Sequence, residues 1–166
     1  AYTISEKDKM LDVINPERLM SLLSYLRKNF NLTVVDIPIE MFSKYSEIIS
    51  QVDSIGVCIH NNIHSIIRSV FDIKKHIPHS KLELFKIKTK TIITQYSKEN
   101  TYNGMQLSQL LVMDIIQSLD DVLDEHVAGT VSYNANFNDQ MDTGILSSLH
   151  NQGFHTQYTQ ILDNLL

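Results

Sequence analysis

Four short apolar runs, each β-branched or otherwise strand-like, alternate with stretches whose apolar residues recur at helical spacing. The runs are LTVVDI (32–37), SIGVCIH (54–60), TKTIITQY (89–96) and HVAGTVSY (126–133). None alternates cleanly between apolar and polar, as a strand with one wet face would. Runs of this kind suit parallel strands buried on both faces. Between them, residues 16–29 place Leu19, Leu22, Leu23 and Leu26 on one side, after a start signal in Asn15-Pro16-Glu17. Residues 39–52 repeat the pattern with Ile39, Phe42, Tyr45, Ile48, Ile49 and Val52. Residues 61–76 do so with Ile63, Ile66, Ile67, Val70 and Phe71, and Pro78 stops them. Residues 105–119 and 145–166 complete the series, the last with a break expected at Gly153. The order αβαβαβαβα predicts an α/β fold: a parallel sheet of at least four strands with helices on both faces and right-handed crossovers.

The chain has 166 residues, enough for a single α/β domain spanning 1–166 with a real core. It opens at Ala1 without an initiator Met, which reads as a fragment or a processed product. The net charge of -5 argues against broad binding to nucleic acid or acidic membranes. The lysines between Lys74 and Lys90 form the one dense basic stretch. Leu82, Leu84 and Ile87 within it are expected in an edge strand or tight crossover, where lysines would block sheet-to-sheet pairing. The other reading of this stretch is a docking surface for acidic lipid, nucleic acid or a protein. The single cysteine, Cys58, lies in an apolar run and is expected to be a small buried hydrophobe, as a chain kept in the cytoplasm would have it. No apolar run approaches the roughly 18 residues of a membrane span.

Familiar chemical signatures are missing. The five glycines stand at 56, 104, 129, 144 and 153, so neither GxxxxGK[ST] nor GxGxxG nor GxSxG occurs. Cys58, His60 and His64 do not complete a zinc set, because the first two belong to a strand and the third to the next helix. Asp120-Asp121 and Asp124-Glu125 read as a solvated helix end. Asp36 is the exception: a carboxylate closing an apolar run. Such a group is costly when buried unless paired or metal-bound, and open α/β sheets bind ligands at the carboxyl ends of their strands.

Two families place an Asp there. A receiver domain does, but it also needs an acidic pair after its first strand and a Lys-Pro near its last, and neither is present; it stands as the second alternative. The better match is a ParA/MinD-type deviant P-loop ATPase, nearest the TadZ/CpaE-like branch of Flp-type (Tad) pilus assembly. LMSLLSYLRKNFNLTVVDIP resembles that family's Leu-rich helix and Asp-x-Pro strand, and QVDSIGVCIHNNIHSIIRSV resembles its next strand and helix. TIITQYSK carries Gln95 where the family has a base-reading Asn, and GTVSYNANFNDQMDTG carries Ser132 and Tyr133 where it has a Pro-Tyr turn. The likeness covers about residues 16–153 and corresponds to the carboxyl-terminal two-thirds of such a domain, lacking its first strands and phosphate loop.

The resemblance implies a nucleotide edge at Asp36, Pro38, Gln95, Ser132 and Tyr133, with Asp36 supporting Mg²⁺. ATP and Mg would bind only together with an amino-terminal part carrying the phosphate loop. It implies an ATPase-like localisation or assembly module without hydrolysis by this chain alone; the alternative is the carboxyl-terminal part of an active ATPase. Expected partners are proteins of a pilus or secretion assembly, with a homodimer formed over loops 37–42, 60–64, 96–104 and 132–144. The expected location is the cytoplasm, recruited to the inner face of the cell envelope.

Overall fold

The structure, a computed structural model, describes residues 15–97, 101–102, 105–106, 127–135, 149 and 151–166. Its long helices begin where asparagines can cap them. Asn15 Oδ1 accepts from the Glu17 amide at 2.8 Å and opens α1 (Pro16–Asn29). Asn62 Oδ1 accepts from the Ser65 amide at 2.9 Å and opens α4 (Ile63–His76). Asn151 Oδ1 accepts from the Gly153 and Phe154 amides and opens α6 (Gln152–Leu165). Each satisfies amides that have no partner inside the helix. Gly153 therefore sits in the first turn of α6 and does not interrupt it.

Three of the four apolar runs are strands of one parallel sheet: β1 (Ile55–His60), β2 (Thr89–Tyr96) and β5 (Val127–Ser132), in the order β1-β2-β5. β1 and β2 run in even register from Ile55 opposite Thr89 to His60 opposite Thr94. The β2–β5 register slips twice, between Thr91 and Ile92 and between Ile93 and Tyr96. A two-residue antiparallel pair, β3 (Thr101–Tyr102) with β4 (Met105–Gln106), takes the first residues of the helix expected from 105. Residues 107–119 of that helix lie outside the described residues.

The fourth run is a correction. Leu32–Ile37 is in no strand; Val34 is 78% exposed and Leu32 49%. A buried strand needs a ladder for its amides and cover on both faces. Among the described residues this run has no ladder partner, so β-propensity alone does not make it a strand. The expected helix over 39–52 is also broken up, into a 3₁₀ turn (Ile39–Met41), α2 (Phe42–Tyr45) and α3 (Ile48–Gln51). The Leu82–Ile87 stretch is not an edge strand but helix α5 (His79–Lys88), entered from Pro78. Leu, Glu and Lys are good helix formers, and the helix buries Phe85 completely.

Helices cover the sheet on both faces, with unequal cores. The larger core joins Phe42, Tyr45, Ile48 and Ile49 to Ile66, Val70 and Ile73 of α4, to Phe85 of α5 and to Ile59 of β1. Phe42 and Phe85 meet edge to face, 6.0 Å between centroids. Leu19, Met20 and Leu23 of α1 pack on this core from outside. Within α4, Ile67 and Phe71 do not turn inward as expected: they are 55% and 63% exposed, and Ile73 takes the buried place. The smaller core lies under α6, where Ile161 packs on Ile92, Ala128 and Val131. A Cβ at Gly129 would stand 2.6 Å from Ile161 Cγ1, so glycine sets how closely α6 approaches the sheet. Among the described residues no helix is long and apolar enough to cross a membrane.

The α5–β2 joint is tied to the short helices of the larger core. Lys88 Nζ donates to the carbonyls of Ile49, Ser50 and Val52, at 2.9, 3.2 and 2.7 Å. These belong to the end of α3, whose carbonyls would otherwise face into partly buried space. Lys81, one face of α5 further back, donates to Glu47 at 3.1 Å and Ser50 Oγ at 2.9 Å. We expect Lys88→Met, which keeps the aliphatic stem and removes the charge, to lower stability by about 2 kcal/mol in urea unfolding. A midpoint unchanged from the parent would show that water replaces the ammonium without loss.

Candidate functional site

The carboxyl ends of parallel strands are where the chain turns outward, leaving side chains around a common edge. Here that edge is built from the ends of β1, β2 and β5. β1 ends at His60, whose Nδ1 lies 2.8 Å from Thr94 Oγ1 on β2. Asn61 follows and is buried, 3% exposed. Its amide donates to Thr94 O at 3.0 Å, and its side-chain amide donates to Ser97 O at 3.3 Å. Asn61 thus fastens the β1 exit to the β2 exit. His60, Asn61 and Thr94 form no recognisable motif along the chain; the polar pair His60-Asn61 directly after an apolar run is the one signal of them in the sequence.

β2 ends irregularly. Gln95 has φ 54, the one non-glycine residue with positive φ among those described, and lies inside the second register slip. The left-handed conformation disfavours a side-chain-bearing residue, and it turns Gln95 out of the ladder into solvent. Pairing resumes at Tyr96, whose carbonyl accepts from the Tyr133 amide at 2.9 Å. On β5, Ser132 is tied to α6: its amide donates to Gln157 Oε1 at 3.1 Å, and Gln157 Nε2 donates to Ser132 Oγ at 2.8 Å. Tyr133 beyond it is 63% exposed.

The structure therefore gathers Gln95, Ser132 and Tyr133 at one edge, with Ser132 engaged by Gln157 and the other two facing outward. Asp36 is not shown with them; it lies by β1. Its segment is exposed, and its carboxylate is near Cys58, two residues before the end of β1. Pro38 turns that segment into the 3₁₀ turn, its carbonyl accepting from the Met41 amide at 3.0 Å. The loops expected to form a homodimer surface carry eight aromatic and methionine side chains: Phe42 is in the core, Met41 and Tyr96 are half-buried and Tyr133 is exposed, while the side chains of Tyr102 and Met105 and the whole of Phe137 and Met141 lie outside what is described. Asp36 stands in no group of three or more metal-ligating side chains among the described residues, and neither do Cys58, His60 and His64.

Cys58 is also a correction: it is exposed, not part of the core. β1 points Ile55, Val57 and Ile59 toward the larger core, and so Gly56, Cys58 and His60 face the other way. α6 reaches that face only as far as Gly56, where Leu165 approaches. Desolvation by neighbouring atoms raises the Cys58 thiol above its ordinary value of 9.0, and the Asp36 carboxylate raises it further.

Two outcomes follow from this geometry. Gln95→Gly should be neutral to about 0.5 kcal/mol stabilising, whereas Gln95→Val should cost about 1–2 kcal/mol, because a β-branched residue resists positive φ; thermal unfolding of both variants checks this. Asp36→Asn should lower the Cys58 pKa and leave desolvation to hold it above the ordinary value. Iodoacetamide should then alkylate the thiol severalfold faster at a pH below 9.0. A raised thiol pKa also means that the fold holds the proton more tightly. That contribution to stability is present below pH 9.0 and is lost as pH rises through the folded value. Unchanged alkylation rates would separate Asp36 from Cys58.

No family model matches this chain, and no curated protein and no solved structure matches it either.

Proposed function

We propose that the chain is an ATPase-like assembly module of the ParA/MinD type, close to the TadZ/CpaE-like pilus-assembly branch. In this reading it works through protein contacts at the cytoplasmic face of the cell envelope and does not hydrolyse ATP by itself. The observation that carries the reading is the make-up of the carboxyl edge. His60, Asn61, Thr94, Gln95, Tyr96, Ser97, Ser132 and Tyr133 form it, on a parallel sheet covered by helices on both faces. None of these is a Lys or Arg, and no glycine-rich phosphate loop accompanies them. Triphosphate needs such amides and cations to offset its charge. An exposed Tyr133 beside an outturned Gln95 is instead the kind of surface that protein contacts use.

One observation favours the second reading, a part of a working ATPase. The Leu32–Asp36 segment has strand-like composition and is exposed and unpaired among the described residues, while its Asp36 lies by Cys58 on β1. β1 in turn pairs on one side only among those residues. A further strand seated there would give both their ladder bonds.

Calorimetric titration with Mg-ATP separates the two. The first reading expects no saturable binding tighter than about 1 mM; a Kd near ~1 μM, about -8 kcal/mol, would overturn it in favour of the second.

A further inference from the structure

An amphipathic helix on the surface of a domain normally turns polar side chains outward. α4 departs from this. Its inward side is Ile66, Val70 and Ile73. Its outward side carries His64, Ile67, Arg68, Phe71 and Lys75, which recur at spacings of three and four and so share one stripe. Ile67 is 55% and Phe71 63% exposed, stacked one turn apart. Arg68 pairs with Asp72 along the helix at 3.5 Å, but its side chain stays 81% exposed and Asp72 only 24%. The guanidinium thus still faces solvent. Lys75 is exposed at the carboxyl end of the helix. Ile67 and Phe71 form one side of the stripe and Lys75 and Arg68 the other, on a chain whose net charge is -5.

We propose that this outer stripe of α4 docks on an anionic lipid bilayer surface. Ile67 and Phe71 enter the headgroup layer, and Arg68 and Lys75 meet lipid phosphates. Charge complementarity selects the occupant. Nucleic acid would reward the cations but gains nothing from a protruding isoleucine and phenylalanine. A lipid interface rewards both parts of the stripe at once. Two apolar side chains and two cations give weak, reversible attachment, since firm anchoring takes a stronger signal. The proposal is independent of nucleotide binding, because α4's outer side is not part of the carboxyl edge.

Sedimentation with vesicles tests it, using phosphatidylcholine mixed with phosphatidylglycerol against phosphatidylcholine alone. The full chain should bind the anionic vesicles, lose binding as salt rises, and leave the neutral vesicles unbound. Phe71→Ser should weaken binding about tenfold. Arg68→Gln and Lys75→Gln should each weaken it about fivefold. Circular dichroism keeps a folding defect apart from a binding defect, and Phe71→Trp adds a second readout: its emission should shift to the blue on anionic vesicles. No binding, equal binding to both vesicle types, or Phe71→Ser binding like the parent in a folded chain would each overturn the proposal. So would binding to a short DNA duplex at the same salt that the two Gln variants abolish and Phe71→Ser leaves unchanged.

Discussion

Lys88 and Thr89 form the joint on which the larger half of the fold turns. Lys88 ends α5 and sends its ammonium to the carbonyls of Ile49, Ser50 and Val52. Thr89 begins β2, and its hydroxyl donates to Phe85 O at 2.7 Å in a buried position. Adjacent residues thereby close the ends of two helices and start the central strand. The short helices of residues 42–51 have too few internal hydrogen bonds to stand alone. They hold their place because Phe42, Tyr45, Ile48 and Ile49 are buried and because a cation from another element satisfies their last carbonyls. The basic stretch is thus largely a structural device: Lys81 and Lys88 face the protein, and Lys90 Nζ donates to Asn164 O at the far end of α6.

The sheet is covered unevenly, and this explains the exposure of several residues. The face with Ile55, Val57 and Ile59 lies under α4 and its neighbours. The opposite face is covered by α6 mainly over β2 and β5, close enough that Gly129 admits no side chain. Toward β1 that cover thins, which leaves Cys58 and His60 accessible. The thiol is accordingly partly desolvated but still reachable, and it sits within the field of Asp36. At the strands' carboxyl ends the same unevenness separates two kinds of polar group. Ser132 is fixed by Gln157, while Gln95 and Tyr133 are free to meet something outside the fold.

What local physics can enforce is legible along the chain. Asn15-Pro16 sets the start of α1, because a side-chain oxygen and a fixed φ suffice for it. Three β-branched apolar runs separated by helices dictate parallel strands, since crossover helices must cover both faces. Tertiary structure decided the rest. The sequence of Leu32–Val35 is as strand-like as that of β1, but a strand exists only when another backbone pairs with it. LELFKIK reads as an edge strand or a tight crossover, yet it is helical in the fold, where Phe85 is buried against Phe42. Gln95's positive φ came from a register slip between two strands, which no local propensity of glutamine encodes. Ile67 and Phe71 have the right spacing for a buried face, yet rotation of α4 about Ile66, Val70 and Ile73 left them in solvent. Spacing fixes which residues share a side of a helix, and only the packing of the other elements fixes which side is inside.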